Sequence, residues 1–146
     1  MTFYLAAFSG SRVTFSDAKF TGGTVNFSPT EFSSGGKVYF DGAEFTGSNV
    51  SFYSSEFSGS RVTFSDAKFT RGTVSFNAAR FTGGDVDFNN AEFSGSDVTF
   101  HDAEFTGGTV NFLDVVGPAP HGLAAAVGTP PPARVNLPSA WQSPIS

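Results

Sequence analysis

The sequence predicts an all-β fold, a right-handed quadrilateral β-helix (a β-solenoid) of about 24 residues per turn with a phenylalanine-stacked interior. Three observations carry this expectation. Residues 1–112 repeat with a period of twelve, each repeat holds two short stretches in which alternate residues are apolar, and all 19 phenylalanines of the 146-residue chain occupy two fixed columns of that repeat.

The repeat reads V-x-F-x-x-A-x-F followed by Ser or Thr, Gly and a polar pair. Val13, Val25, Val38, Val50, Val62, Val74, Val86, Val98 and Val110 open successive units, and Met1 holds the same slot in the first. One aromatic column is Phe3, Phe15, Phe27, Phe40, Phe52, Phe64, Phe76, Phe88, Phe100 and Phe112; the other is Phe8, Phe20, Phe32, Phe45, Phe57, Phe69, Phe81, Phe93 and Phe105. Both V-x-F and A-x-F have the period of a strand with one buried face. A helix is excluded, because phenylalanines five and seven residues apart would walk around its surface. Gly-Gly, Gly-Ser and Ser-Asp pairs separate the stretches and suit tight corners. Ser33-Ser34-Gly35-Gly36-Lys37 carries one extra residue, read as a bulged corner. Phe8–Thr21 recurs identically as Phe57–Thr70, the mark of an internal duplication.

Turn size follows from volume and charge. Strands stack about 4.8 Å apart, and a two-faced coil of twelve residues has scarcely room for two aromatic rings per layer. A coil of twice that length has four faces and encloses four Phe, two Val and two small residues. Stacking every second unit aligns Lys19, Glu44, Lys68 and Glu92, so opposite charges alternate along one face. It also aligns Ala18, Ala43, Ala67 and Ala91, with Ala6, Thr30, Ser55, Ala79 and Ala103 on the other phase. Stacking every unit would instead place Glu31, Glu44 and Glu56 side by side, which like charges on adjacent strands disfavour.

The units Ala18-Lys19-Phe20-Thr21-Gly22, Ala43-Glu44-Phe45-Thr46-Gly47 and Val13-Thr14-Phe15-Ser16-Asp17 resemble those of the pentapeptide-repeat proteins. The resemblance covers residues 1–112 and implies a square cross-section. It departs from the family pattern by a two-residue insert after every second pentapeptide (Gly23-Thr24, Ser48-Asn49, Ser96-Asp97), which lengthens two of the four corners. Some members of that family imitate duplex DNA in shape and charge and occupy the DNA site of type II topoisomerases.

Residues 1–114 are read as the solenoid and 115–146 as a Pro-rich C-terminal tail that could cap its end. Seven of the eight prolines lie between Pro118 and Pro144, and Pro130-Pro131-Pro132 cannot continue a ladder. Leu123, Val127, Val135, Leu137 and Trp141 are the apolar residues available to cover the last coil, since open solenoid ends need covering.

Catalysis is not expected. His101 and His121 are read as solvated, and no nucleophile–base order, phosphate-cradling glycine loop or metal-ligand spacing is present. No cofactor and no metal are predicted. Without cysteine there are neither disulfides nor thiolate sites. A net charge of −5 argues against direct binding to nucleic acid or to anionic membrane. No apolar run is long enough to span a bilayer and the N-terminus lacks a signal-peptide pattern, so a cytoplasmic protein is the expectation. Ser9, Thr21, Ser33, Thr46, Ser58, Thr70, Thr82, Ser94 and Thr106 follow the second Phe column and are read as corner hydrogen-bonding groups.

Asp85, Asp87, Glu92, Asp97, Asp102 and Glu104 fall in a stretch without Lys or Arg and form a candidate acidic interaction patch. The first 82 residues balance six acids against seven bases. The function expected is a non-enzymatic structural or protein-interaction module with an unidentified protein partner. The alternatives are a DNA-mimicking protector or inhibitor of a type II topoisomerase and an ice-binding β-solenoid. A solenoid end is the candidate surface for homodimerisation. If the aromatic columns are interior, Phe64→Ala lowers stability by about 3–5 kcal/mol in denaturant titration, whereas an exposed ring would leave it unchanged.

Overall fold

The structure is a computed structural model that describes residues 7–8, 10, 12–28, 30–33, 35–128 and 132–141. Met1, Phe3, Ala6, Ser9, Ser34, Pro130 and Pro131 lie outside the described residues. The strands are β1 (Ala7–Phe8), β2 (Arg12–Thr14), β3 (Lys19–Phe20), β4 (Thr24–Asn26), β5 (Glu31–Phe32), β6 (Lys37–Tyr39) and β7 (Glu44–Ser51). They continue as β8 (Glu56–Thr63), β9 (Lys68–Ser75), β10 (Arg80–Asp87), β11 (Glu92–Phe93), β12 (Asp97–Thr99), β13 (Glu104–Asn111) and β14 (Val135–Asn136). All pair in parallel, in one six-stranded and one eight-stranded sheet. Successive half-turns enter the two sheets alternately, making a parallel β-solenoid of about five turns.

The register confirms the longer coil. Val50 lies beside Val74, Val62 beside Val86 and Val86 beside Val110, a step of 24 residues. Lys19, Glu44, Lys68 and Glu92 form one row of alternating sign. The corresponding row of the other sheet is Glu31, Glu56, Arg80 and Glu104, with one like-charge neighbour pair at its start. Phe8 pairs with Phe32 but Val13 with Val38, so the extra residue is absorbed between Phe32 and Val38. There the Gly36 N–H reaches the Ser33 carbonyl at 3.4 Å and Gly35 takes a φ of 83°.

Alternation places the apolar side chains inside. Phe27, Phe40, Phe52, Phe64, Phe76, Phe88, Phe100 and Phe112 are fully buried, as are Phe32, Phe45 and Phe69; Phe57, Phe81, Phe93 and Phe105 are buried too. Phe20 is 9 % exposed, and Phe15, in the first described turn, is only partly buried. Rings stack in four columns, with successive centroids 4.7–4.9 Å apart and planes within 10° in all but one step. The two V-x-F columns also meet edge to face across the interior, as Phe40 and Phe52 do at 6.1 Å and 82°. Such pairs add about 0.5–1.5 kcal/mol each beyond the area they bury.

Two kinds of corner turn the chain. After the V-x-F stretches that end at Phe15, Phe40, Phe52, Phe64, Phe76, Phe88, Phe100 and Phe112, a tight turn closes with a hydrogen bond such as Ala67 N–H to Phe64 C=O at 3.1 Å. Its third residue has positive φ, between 57° and 62° at Asp17, Ser54, Asp66, Ala78, Asn90, Asp102 and Asp114, the requirement of a type II turn. After each A-x-F, the insert forms a wider corner at which turns touch through backbone. Ser48 Oγ donates to the Gly22 carbonyl at 2.9 Å, Ser96 Oγ to Arg71 O at 2.6 Å, and Ser60 Oγ to Ser33 O. At the tight corners, Ser28 Oγ bridges turns as well, donating to Tyr53 O at 2.7 Å. In the series that follows Phe, Ser94 bonds only sideways to Glu92 at 2.9 Å.

The chain stays on the stack past Asp114. Val115 is buried in the small-residue slot, and the Phe93 N–H donates to Val116 O at 2.8 Å. His121 bridges Thr99, the short helix α1 (Leu123–Val127) buries Leu123 and Val127, and β14 extends the ladder beside β13. Trp141 lies 5.4 Å from Phe112 and 6.0 Å from Phe93, and its Nε1–H donates to Gly117 O at 2.9 Å. These groups lie against the last aromatic layer. At the same end, Phe93 departs from its column, meeting Phe69 at 70°.

The corners generate opposite expectations for two small substitutions. A Cβ at Gly84, where φ is 72°, would stand 2.3 Å from Ser60 O, so Gly84→Ala should destabilise by more than about 2 kcal/mol. Ala78→Gly removes a left-handed strain of about 1–2 kcal/mol against an entropy loss of about 0.5–1 kcal/mol, so it should raise stability slightly. Denaturant midpoints of the two variants check both signs.

Candidate functional site

The interior is given to Phe, Val and small residues, and the parallel register sorts the outward residues of each strand into straight rows. Adjacent members of a row are one strand spacing apart, about 4.8 Å. Four rows flank the two valine columns. On the six-stranded sheet these are Thr24, Asn49, Thr73 and Asp97 on one side, with Asn26, Ser51, Ser75 and Thr99 on the other. The eight-stranded sheet carries Arg12, Lys37, Arg61, Asp85 and Thr109, with Thr14, Tyr39, Thr63, Asp87 and Asn111 alongside.

The acidic residues singled out by sequence are divided among these surfaces. Asp85 and Asp87 are on the eight-stranded sheet, where Thr109 Oγ1 donates to Asp85 Oδ1 and Asn111 Nδ2 donates to Asp87 Oδ1 at 3.2 Å. Glu92 and Asp97 are on the six-stranded sheet, Asp102 sits in a tight corner, and Glu104 is on the eight-stranded sheet beside β10. Register also sets bases next to them: Asp85 is beside Arg61, Glu92 beside Lys68 and Glu104 beside Arg80. These six carboxylates do not form one continuous surface.

Both histidines reach the surface near the C-terminal end. His101 is exposed in a corner, its backbone N–H held by Asn77 Oδ1 at 2.8 Å. His121 Nε2 is 3.7 Å from Asp97 Oδ1, with both side chains more than half exposed. Phe93, Val98, Pro118, Pro120 and His121 line a shallow cavity of about 130 Å³ there. Among the described residues no group of three metal-ligating side chains converges, and no buried polar side-chain atom lacks a hydrogen bond. The buried Ser55 hydroxyl is satisfied on both sides, donating to Phe27 O at 3.0 Å and accepting from Thr30 N–H at 3.1 Å. It serves the wall.

Sequence reasoning missed the row Arg12, Lys37, Arg61. Its signal is a base immediately before Val at every second repeat, in Arg12-Val13, Lys37-Val38 and Arg61-Val62. Beside this row, Gly35, Gly36, Gly59 and Gly84 leave a groove of about 210 Å³ bordered by Lys37, Arg61 and Asp85. No protein-family model matches the chain, and no curated protein matches it.

Proposed function

We propose that the chain is a non-catalytic structural or protein-interaction module of the pentapeptide-repeat kind, a stiff scaffold that presents rows of side chains to a protein partner. The observation that carries this reading is the contrast between inward and outward positions. Inward columns repeat Phe, Val and small residues, whereas outward rows differ from face to face in charge and hydrogen-bonding character. A frame of this kind separates folding from recognition, because exposed strand positions away from special contacts change stability by only about 0.5 kcal/mol. No helix among the described residues is long and apolar enough to cross a membrane.

The topoisomerase reading loses support from the same register. A DNA mimic needs negative charge along most of the rod, and Lys68, Arg61 and Arg80 stand beside Glu92, Asp85 and Glu104. The ice-binding reading gains one specific observation. The pairs Thr24/Asn26, Asn49/Ser51 and Thr73/Ser75 make a regular uncharged hydroxyl and amide array on the six-stranded sheet. Against it, Thr73 Oγ1 already donates to Asn49 Oδ1 at 2.9 Å, and Asp97 adds a charge at one end.

The leading reading predicts that affinity capture from the source cell, quantified by mass spectrometry, enriches a protein that is lost when one outward row is replaced. That variant should still melt cooperatively, as a folded protein does. The reading fails if wild-type protein enriches nothing over a variant with every row replaced. For the ice reading, nanolitre osmometry is expected to register no thermal hysteresis; a freezing gap abolished by Thr73→Lys would instead establish it.

A further inference from the structure

Four of the eight bases have a carboxylate directly beside them in the register: Lys19 is beside Glu44, Lys68 lies between Glu44 and Glu92, Arg80 between Glu56 and Glu104, and Arg61 is beside Asp85. Arg12, Lys37 and Arg61 differ in standing next to one another. They occupy one outward row on three successive strands, with only Asp85 following at one end. Like charges directly alongside on adjacent strands are destabilising. Departures from local stability rules of this kind concentrate at functional sites. Arg12 and Arg61 belong to the duplicated segment, but Lys37 comes from a turn outside it and completes the row independently.

The surroundings of the row suit an anion. The Arg12 guanidinium carbon lies 5.1 Å from the centre of the Tyr39 ring, so the aromatic face steadies this cation without neutralising it. On the corner side, Gly35, Gly36 and Gly59 bear no side chains, and the groove between them and the cations leaves Lys37 and Arg61 approachable from solvent. Guanidinium forks accept phosphate in bidentate geometry, and an ammonium between them acts as a point charge.

We propose that Arg12, Lys37 and Arg61 form a binding strip for a short linear phosphate polyanion, of which inorganic polyphosphate is the simplest member. The row is straight, lies along the solenoid axis and is three charges long, which fits a linear ligand with closely spaced anionic groups. The net charge of −5 and Asp85 at the end of the row repel a longer polyanion, so nucleic acid is the poorer occupant.

The test is isothermal titration of the full chain with short-chain inorganic polyphosphate at low salt, repeated at high salt. Saturable binding is expected, weakened by salt, at least tenfold weaker in Lys37→Glu and unchanged in Lys68→Glu on the other sheet. Asp85→Lys, which lengthens the row, should tighten it. Lys37→Thr keeps a strand-forming residue and should bind weakly while melting higher than wild type in the absence of polyphosphate, because like-charge repulsion is relieved. The proposal is overturned by absence of saturable binding, by binding indifferent to Lys37→Glu, or by tighter binding of single-stranded DNA, or of an acidic peptide, to the same three residues.

Discussion

A parallel ladder spaces its strands about 4.8 Å apart, and an aromatic column grown on that ladder must repeat at the same distance. The stacked-ring separations of 4.7–4.9 Å are that strand spacing expressed in side chains. Hydrogen bonds between turns and ring contacts within the core therefore cannot be optimised separately. Four columns satisfy both, because a ring stacked on its own column can meet a neighbouring column edge to face or tilted, as Phe64 does with Phe76 and Phe69. No residue but Phe is used in these columns through the repeats. Leu would fill volume without the flat faces that make the repeat exact, and Tyr would bury a hydroxyl that needs a partner.

The corners are what make this stacking tolerable. Each turn must change direction four times while keeping its register with the turn below, which demands positive φ at one kind of corner and backbone-to-backbone contact at the other. At the tight corners Asp, Asn and Ser supply most of the left-handed residues, with short polar side chains that can hydrogen-bond locally. Where the wider corners touch, Gly and Ser divide the task along each edge: Ser48 and Ser60 bridge to the turn before, and Gly72 and Gly84 leave space for the carbonyls of those serines. The extra residue near Gly35 is accommodated because it falls in such a corner, where no ring has to be kept in phase.

Confining the apolar residues to the interior leaves the surface chemically diverse but geometrically monotonous. Every outward position belongs to a straight row, so charge pairing is decided by residues about two repeats apart. That is why Asp85, Glu92 and Glu104 of the acidic run each gain a base as neighbour, and why three bases scattered between residues 12 and 61 become contiguous.

Period, buried columns and turn length were legible in the sequence because they follow from alternation, volume and the signs of Lys19, Glu44, Lys68 and Glu92, all local or strictly periodic properties. The extra residue in Ser33–Lys37 was equally visible as a break in that period. The packing of the C-terminal segment was not: Val115, Leu123, Val135 and Trp141 have no period, and their contacts with the end of the stack depend on which apolar surface the last turn leaves open. Nor was the difference between the Ser60 hydroxyl, which bridges turns, and the Ser94 hydroxyl, which turns sideways to Glu92, because hydroxyls at neighbouring corner positions look alike until backbone direction is known. The grouping of Arg12 with Lys37 and Arg61, and the dispersal of the acids, needed the register of both sheets. Residues two repeats apart become neighbours only when the chain has closed a full turn.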